Sequence, residues 1–229
     1  MKELAEFKAS AGLADHEIPH LAEAFTHRTY AVENGLNYDN QRLEFLGDAV
    51  LEIILTEYLY DLYPAMNEGD LTKIRSALAK EGTLAELAVQ QNLGGFLRIG
   101  HGEQECGGAE RVSTLADLFE AVLGAIYLDA GLDAARAYAM PLFRAYTDEP
   151  CTLLHSINPK GTLQEYAQRL HLSTPTYRIL HISGPEHQPH YTVEVTLNNH
   201  SATGEAASRK QAESAAARKL YEFLTSTSV

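Results

Sequence analysis

From Arg42 to Tyr63 the chain carries apolar side chains at nearly every turn of what must be one long helix, until Pro64 stops it. A helix that is apolar almost all round is buried on most of its faces. It therefore demands other helices packed around it. Yet Glu44 and Asp48 stand four residues apart within Gln41-Arg42-Leu43-Glu44-Phe45-Leu46-Gly47-Asp48, on one stripe that Gln41 and Glu52 extend. Two carboxylates so placed repel each other and resist desolvation. A salt bridge from Arg42, or from a lysine elsewhere, would compensate. A divalent cation would do so as well.

A second apolar helix, Ser113 to Ala130, has the same peculiarity: Asp117 and Glu120 stand three apart on one edge of it. Two helices of this kind can face each other and build an all-oxygen cage. Such a cage suits Mg²⁺, a hard cation that takes carboxylates, waters and phosphates. No histidine or cysteine accompanies the acids, which argues against zinc. Spacing alone leaves the salt-bridge and metal readings both open.

The rest of the first part is also helical in pattern. Ile18, Leu21, Ala22 and Phe25 sit at helical spacing, and Leu71 to Leu78 and Thr83 to Leu93 read as further helices. The second of these has Thr83 as expected N-cap and Glu86 three residues on. Glycines punctuate 94–108. Gly131 breaks the helix that resumes from Asp133 to Tyr146. Residues 1–146 are thus expected to form one all-α domain. Pro150, Pro159, Asp148 and Asn158 mark 147–157 as a linker. In 158–226 the period changes. Leu163, Tyr166, Ala167 and Leu170 give a short helix. Thr176 to Ile182, Tyr191 to Leu197 and His200 to Glu205 give three strands, the middle one with clear alternation. Ala212, Ala215, Ala216, Leu220, Phe223 and Leu224 give a final amphipathic helix. This is a small α+β module of α-β-β-β-α order.

A net charge of −13 looks wrong for a nucleic-acid binder, but it is unevenly spread. Residues 1–150 hold 11 Lys+Arg against 25 Asp+Glu, whereas 151–229 hold 7 against 6. Cys106 and Cys151 form no metal cluster and no disulfide framework. No apolar run is long enough for a membrane span. Met1 to Ser10 carries Glu3 and Glu6 and lacks a secretory core. A cytoplasmic location is expected, with no membrane partner and no small-molecule substrate.

The string from Asn40 to Leu51 resembles the hallmark motif of the ribonuclease III family. Three further strings match in order: Phe25-Thr26-His27-Arg28, Glu68 to Arg75, and Leu115-Ala116-Asp117 through Glu120-Ala121. The resemblance covers nearly the whole chain. It implies an all-α endonuclease domain followed by a double-stranded-RNA-binding domain, acting as a homodimer on duplex RNA. It also implies Mg²⁺, with Mn²⁺ as substitute. Glu44, Asp48, Asp117 and Glu120 match the family's metal-centred carboxylates, Asp48 and Glu120 being assigned to catalysis. Glu68 matches an auxiliary acid. Phe45 matches an aromatic residue that enters the partner subunit, although an ordinary core position would equally suit a phenylalanine. At Gln41 many members carry Glu; the amide can hydrogen-bond water or ribose but adds no charge. His27 also matches a family position, with a hydrogen-bonded structural role expected.

In the small domain the resemblance points to three RNA-contact regions. These are Gln164 and Glu165 on the first helix, His187 in the loop after Gly184-Pro185, and Ser208-Arg209-Lys210 at the last helix. Glu213 stands where the wider domain family often has a third basic residue. The expected activity is metal-dependent hydrolysis of double-stranded RNA, in ribosomal RNA precursors and structured transcripts. It would leave 5′-phosphate and 3′-hydroxyl ends. A binding protein without catalysis and a structural dimer without an RNA role are the competing readings.

Overall fold

The computed structural model describes residues 2–185 and 188–226. They divide into two compact units, Met1–Asp148 and Glu149–Val229. The first contains α1 (Lys2–Ser10), α2 (Leu21–Ala24), α3 (Arg28–Glu33), α4 (Gln41–Leu62), α5 (Glu68–Leu78), α6 (Glu81–Gln90), α7 (His101–Glu105) and α8 (Val112–Tyr146). Among its described residues the only strand-like pairing is a single bridge, Thr26 with Arg98.

α8 is the axis of this unit. Leu115, Ala116, Leu118, Phe119 and the run Ala121–Ile126 are all buried, as an all-round apolar sequence requires. It packs chiefly against α4 and α6. α4 presents Leu43, Gly47, Val50, Leu51, Ile54, Leu55 and Leu59 to the core, the three-four spacing of one helix face. Gly131 interrupts α8 with φ 84° and ψ 177°, a conformation open essentially to glycine alone. The break therefore lies where the sequence placed it. The start of α6 does not. Lys80 precedes its first turn, and Thr83 lies inside the helix, fully buried, its hydroxyl donating to the Ala77 carbonyl at 3.1 Å. Thr83 is a core polar residue, not a cap, because its hydroxyl finds a partner in the preceding helix.

α4 and α8 cross with almost no separation. A Cβ on Gly47 would lie 1.8 Å from the Glu120 carbonyl oxygen, and one on Gly124 would lie 2.2 Å from the Leu43 carbonyl oxygen. Each glycine thus lets the backbone of one helix rest on that of the other.

The second unit opens with a 3₁₀ turn at Pro150–Thr152 and continues through α9 (Leu153–Ile157) and α10 (Pro159–Arg169). The stretch 147–157, read from the sequence as a linker, therefore holds helical structure. Pro150 starts the turn, and Leu154 is buried. Next come β1 (Thr176–Ser183), β2 (His190–Leu197), β3 (His200–Ala206) and α11 (Arg209–Ser226). The strands form an antiparallel sheet in the order β1-β2-β3. Val193, Val195 and Leu197 alternate inward from β2. Val195 and Leu197 share a core with Leu163 and Ala167 of α10 and Ala216, Ala217 and Leu220 of α11.

The crossing yields a stability test. Gly47→Ala and Gly124→Ala should each cost at least about 3 kcal/mol, the upper range for overpacking, because the obstruction is backbone that cannot rotate away. Gly102→Ala, with open space around its Cβ, should be neutral or stabilising by up to about 1 kcal/mol. Thermal melts of the three variants, read against wild type, check this order.

Candidate functional site

The N-terminal end of α4 is fixed by the segment before it. Asn40 is buried; its N–H donates to the Thr26 carbonyl at 2.9 Å, and its own carbonyl accepts the Glu44 N–H at 2.9 Å. Thr26 is held in turn by its hydroxyl, which donates to the Ala22 carbonyl at 2.6 Å. Arg98 donates its N–H to Phe25 (2.8 Å) and accepts the His27 N–H (2.9 Å). The string Phe25 to Arg28 is thus the support on which α4 begins. His27 caps α3, its Nδ1 accepting the Thr29 N–H at 3.3 Å.

Where α4 crosses α8, the carboxylates of Glu44, Asp117 and Glu120 converge. One oxygen of each lies within 4.8 Å of the others. Asp48 is exposed on α4 and is not one of that trio, yet its charge bears on both Glu44 and Glu120. Among the described residues, no ion pair with Lys or Arg engages any of the four. The compensation that the sequence required is therefore not supplied by Arg42 or by a lysine.

The electrostatic consequence is large. Burial, then Asp48, Asp117 and Glu44, push the Glu120 carboxyl up to about 8. Burial, then Asp117, Asp39 and Asp48, raise Glu44 above the ordinary carboxylate range. Burial and Glu81 raise Asp117, with His27 acting in the opposite direction. Three half-buried acids share too little positive charge. The donor set is all oxygen, which fits a hard divalent cation. Its span is comparable to the ~4.2 Å between opposite oxygens in a shell of Mg–O bonds at 2.0–2.1 Å.

Three of these influences, from Asp39, Glu81 and His27, were not legible as part of the site. Glu81 begins α6 and is brought near the trio only by the fold, whereas Asp39 stands five residues before Glu44, just ahead of α4.

The remaining candidates lie in varied settings. Gln41 is exposed in the first turn of α4, its N–H donating to Asp39 at 3.1 Å. Glu68 is exposed at the start of α5, accepting the Thr72 hydroxyl at 3.3 Å, and lines a groove of about 480 Å³ with Leu59, Tyr60, Leu71 and Arg75. No member of the acid trio lines that groove. Arg75 bridges α5 to α4, donating to Thr56 (2.9 Å) and pairing with Glu52 (3.2 Å). It is a half-buried link between the two helices. Phe45 is 81% exposed and so takes no part in the core of this chain. Ile53 and Tyr60 are exposed along the same helix.

In the second unit Gln164 and Glu165 are exposed on α10. Ser208 caps α11, its Oγ accepting the Gln211 N–H at 3.3 Å. Lys210 is exposed, and Arg209 donates from Nε to Glu213 at 2.8 Å. His187 lies outside the described residues. No helix among the described residues is long and apolar enough to cross a membrane.

Comparison with known proteins agrees with both units. Residues 18–145 match the family model "Ribonuclease-III-like" and residues 159–224 match "Double-stranded RNA binding motif". The chain is 42% identical to Ribonuclease 3 of Chloroflexus aurantiacus over 221 residues, covering 94% of this chain and 89% of that protein. It is 40% identical to Ribonuclease 3 of Dehalococcoides mccartyi over 225 residues, covering 97% and 95%. The crystal structure of the nuclease domain of ribonuclease III from Campylobacter jejuni superposes with a TM-score of 0.60 at 37% identity, covering 65% of this chain and 99% of that one. The carboxylates at the α4–α8 crossing, the sheet-and-helix module behind them in sequence and these matches lead to one conclusion: the chain belongs to the ribonuclease III family, endonucleases of double-stranded RNA.

Proposed function

We propose that the protein is a magnesium-dependent endoribonuclease that works as a homodimer on ribosomal RNA precursors and structured transcripts in the cytoplasm. Its products carry 5′-phosphate and 3′-hydroxyl ends. The observation that carries this reading is the convergence of Glu44, Asp117 and Glu120 without a cationic partner.

In this reading Glu44, Asp48, Asp117 and Glu120 hold Mg²⁺, or Mn²⁺ in its place. When bound, the cation supplies Lewis-acid activation of water and offsets charge on the phosphoryl oxygens. Asp48 and Glu120 orient the attacking water. Gln41 hydrogen-bonds water or ribose beside them, and Glu68 acts as an auxiliary acid. A cation held there would offset the charge of an RNA phosphate, so an acidic surface could engage a polyanion. In the small domain Gln164, Glu165 and His187 address 2′-hydroxyls and groove edges, while Ser208, Arg209 and Lys210 address phosphate.

The dimer reading rests on α4. Phe45, Ala49, Ile53, Thr56 and Tyr60 are exposed at three-four spacing and form one largely apolar stripe. A contiguous apolar surface of this kind marks an interaction site. A second Campylobacter jejuni nuclease-domain structure, at 37% identity and TM-score 0.58, is described as having structural flexibility in a region involved in dimer formation.

Glu120→Gln should lower the rate of long-duplex cleavage in Mg²⁺ by at least about a hundredfold, since even outer-shell partners of a metal contribute 10–100-fold. RNA binding should persist. Gel assays of cleavage and of binding, run side by side, distinguish this from a general loss of folding.

The raised carboxyl of Glu120 sets a pH dependence. In the metal-free protein it keeps its proton up to about pH 8, whereas the unfolded chain releases it near the ordinary 4.5. The unfolded state thus binds fewer protons between those values, and this group's contribution to stability falls as pH rises through that window. Mg²⁺ should relieve it. The rise in Tm on adding Mg²⁺ to EDTA-treated protein should be larger at pH 8.5 than at 5.5. Equal shifts at both pH values would count against the site.

Phe45→Ala should weaken self-association by at least about thirtyfold, the ~2 kcal/mol of a central apolar anchor. Sedimentation equilibrium measures this directly.

A further inference from the structure

Glu213 is one of the few buried charged residues among those described, at 7% exposure. Its two carboxylate oxygens serve two cations from different helices. Oε2 accepts from the Lys160 ammonium at 2.5 Å, and Oε1 accepts from the Arg209 Nε at 2.8 Å. Lys160 lies in the first turn of α10 and Arg209 opens α11. The Lys160 ammonium also sits 4.6 Å from the centroid of the Tyr177 ring on β1, a cation–π contact. Burial alone would raise the Glu213 carboxyl, but the two hydrogen bonds bring it below the ordinary range, so it stays ionised.

The exposure runs one way. The carboxylate side chain is 10% exposed, while Lys160 is 39% and Arg209 62% exposed. The negative charge points inward and the positive charges outward. Arg209 spends its Nε on Glu213, and with a side chain 62% exposed its two terminal nitrogens are available to form the fork that suits phosphate. Lys160 has three donors and uses one on Glu213. Lys210 adds an exposed cation on the same turn as Arg209. Without Glu213, Lys160 and Arg209 would repel each other and move apart.

We propose that Glu213 is a positioning residue for duplex RNA: it holds Lys160 beside Arg209 and so makes Lys160 a phosphate contact of the small domain. This rests on reading residues 159–224 as the part that binds double-stranded RNA. It also gives the acid at 213 a purpose. A basic residue there would meet Lys160 and Arg209 as a third like charge.

The experiment measures binding of the full-length protein, in EDTA, to a labelled RNA duplex a little longer than the ~16 bp such a module covers. Fluorescence anisotropy is followed over a range of KCl, with melts as the folding control. Lys160→Gln should weaken binding on the order of fivefold near 0.1 M salt and flatten the slope of log K against log[KCl] by about one phosphate contact. Glu213→Gln should also weaken binding, although it removes a negative charge from the RNA-binding domain. The double variant should bind no worse than the weaker single one, because both changes disrupt one assembly. A purely structural tie between α10 and α11 would lower Tm and leave the Lys160→Gln slope unchanged, and that result overturns the proposal. So does tighter or unchanged binding by a folded Glu213→Gln. If Glu213→Gln does not fold, the Lys160→Gln slope decides alone. Wild-type protein that ignores duplex RNA at low salt would sink the RNA-binding reading itself. Intact wild-type binding with an unaltered Lys160→Gln slope rejects only the role given to Lys160 and Glu213.

Discussion

The contact of α4 with α8 through Gly47 and Gly124 is the constraint on which the nuclease unit depends. With each Cβ position 1.8–2.2 Å from a carbonyl oxygen of the other helix, no side chain can be inserted at either point. This close approach sets where Glu44 sits relative to Asp117 and Glu120. Along their helices Glu44 lies three residues from Gly47, Glu120 four from Gly124 and Asp117 seven, so any separation of the backbones would carry the acids apart. Steric absence at two positions thus creates chemistry at three others.

That chemistry is costly in the metal-free protein. Half-burial and mutual repulsion raise Glu44, Asp117 and Glu120 together. A fold under selection for stability alone would have supplied a lysine or an arginine. This one places its cations elsewhere: Arg75 on Glu52, Lys73 on Asp70, Arg136 on Glu57 and Asp133. Carboxyls raised together without a cationic partner, clustered at a helix crossing, are the pattern expected where function sets the arrangement. The small domain resolves the same problem in the opposite way. There the buried Glu213 is fully paired, and the pairing organises cations that face outward.

Much of this was legible from sequence, and the reason is periodicity. α4 and α8 showed as apolar helices with acids on one edge, and Gly131 marked the break because glycine tolerates φ 84°. β2 was clear because Val193, Val195 and Leu197 alternate onto a one-sided core. What failed or stayed hidden depended on tertiary contacts. Thr83 has the chemistry of a cap, and only the packing of α6 against the end of α5 made it a buried donor. The helical turns at Pro150–Thr152 and Leu153–Ile157 stayed hidden because the stretch carries loop punctuation. Gly47 and Gly124 look like ordinary helix glycines until the partner helix is known. The influence of Glu81 on the acid trio, and the pairing of Lys160 with a residue 53 positions away, carry no local signal at all.

The claim that the α4–α8 crossing exists to assemble a divalent-cation site can be tested by diffraction. Crystals of the protein soaked in Mn²⁺ should show an anomalous peak at the Mn absorption edge among the carboxylates of Glu44, Asp117 and Glu120. Ordered anomalous density only at other positions, with those three side chains left turned apart, would contradict the account.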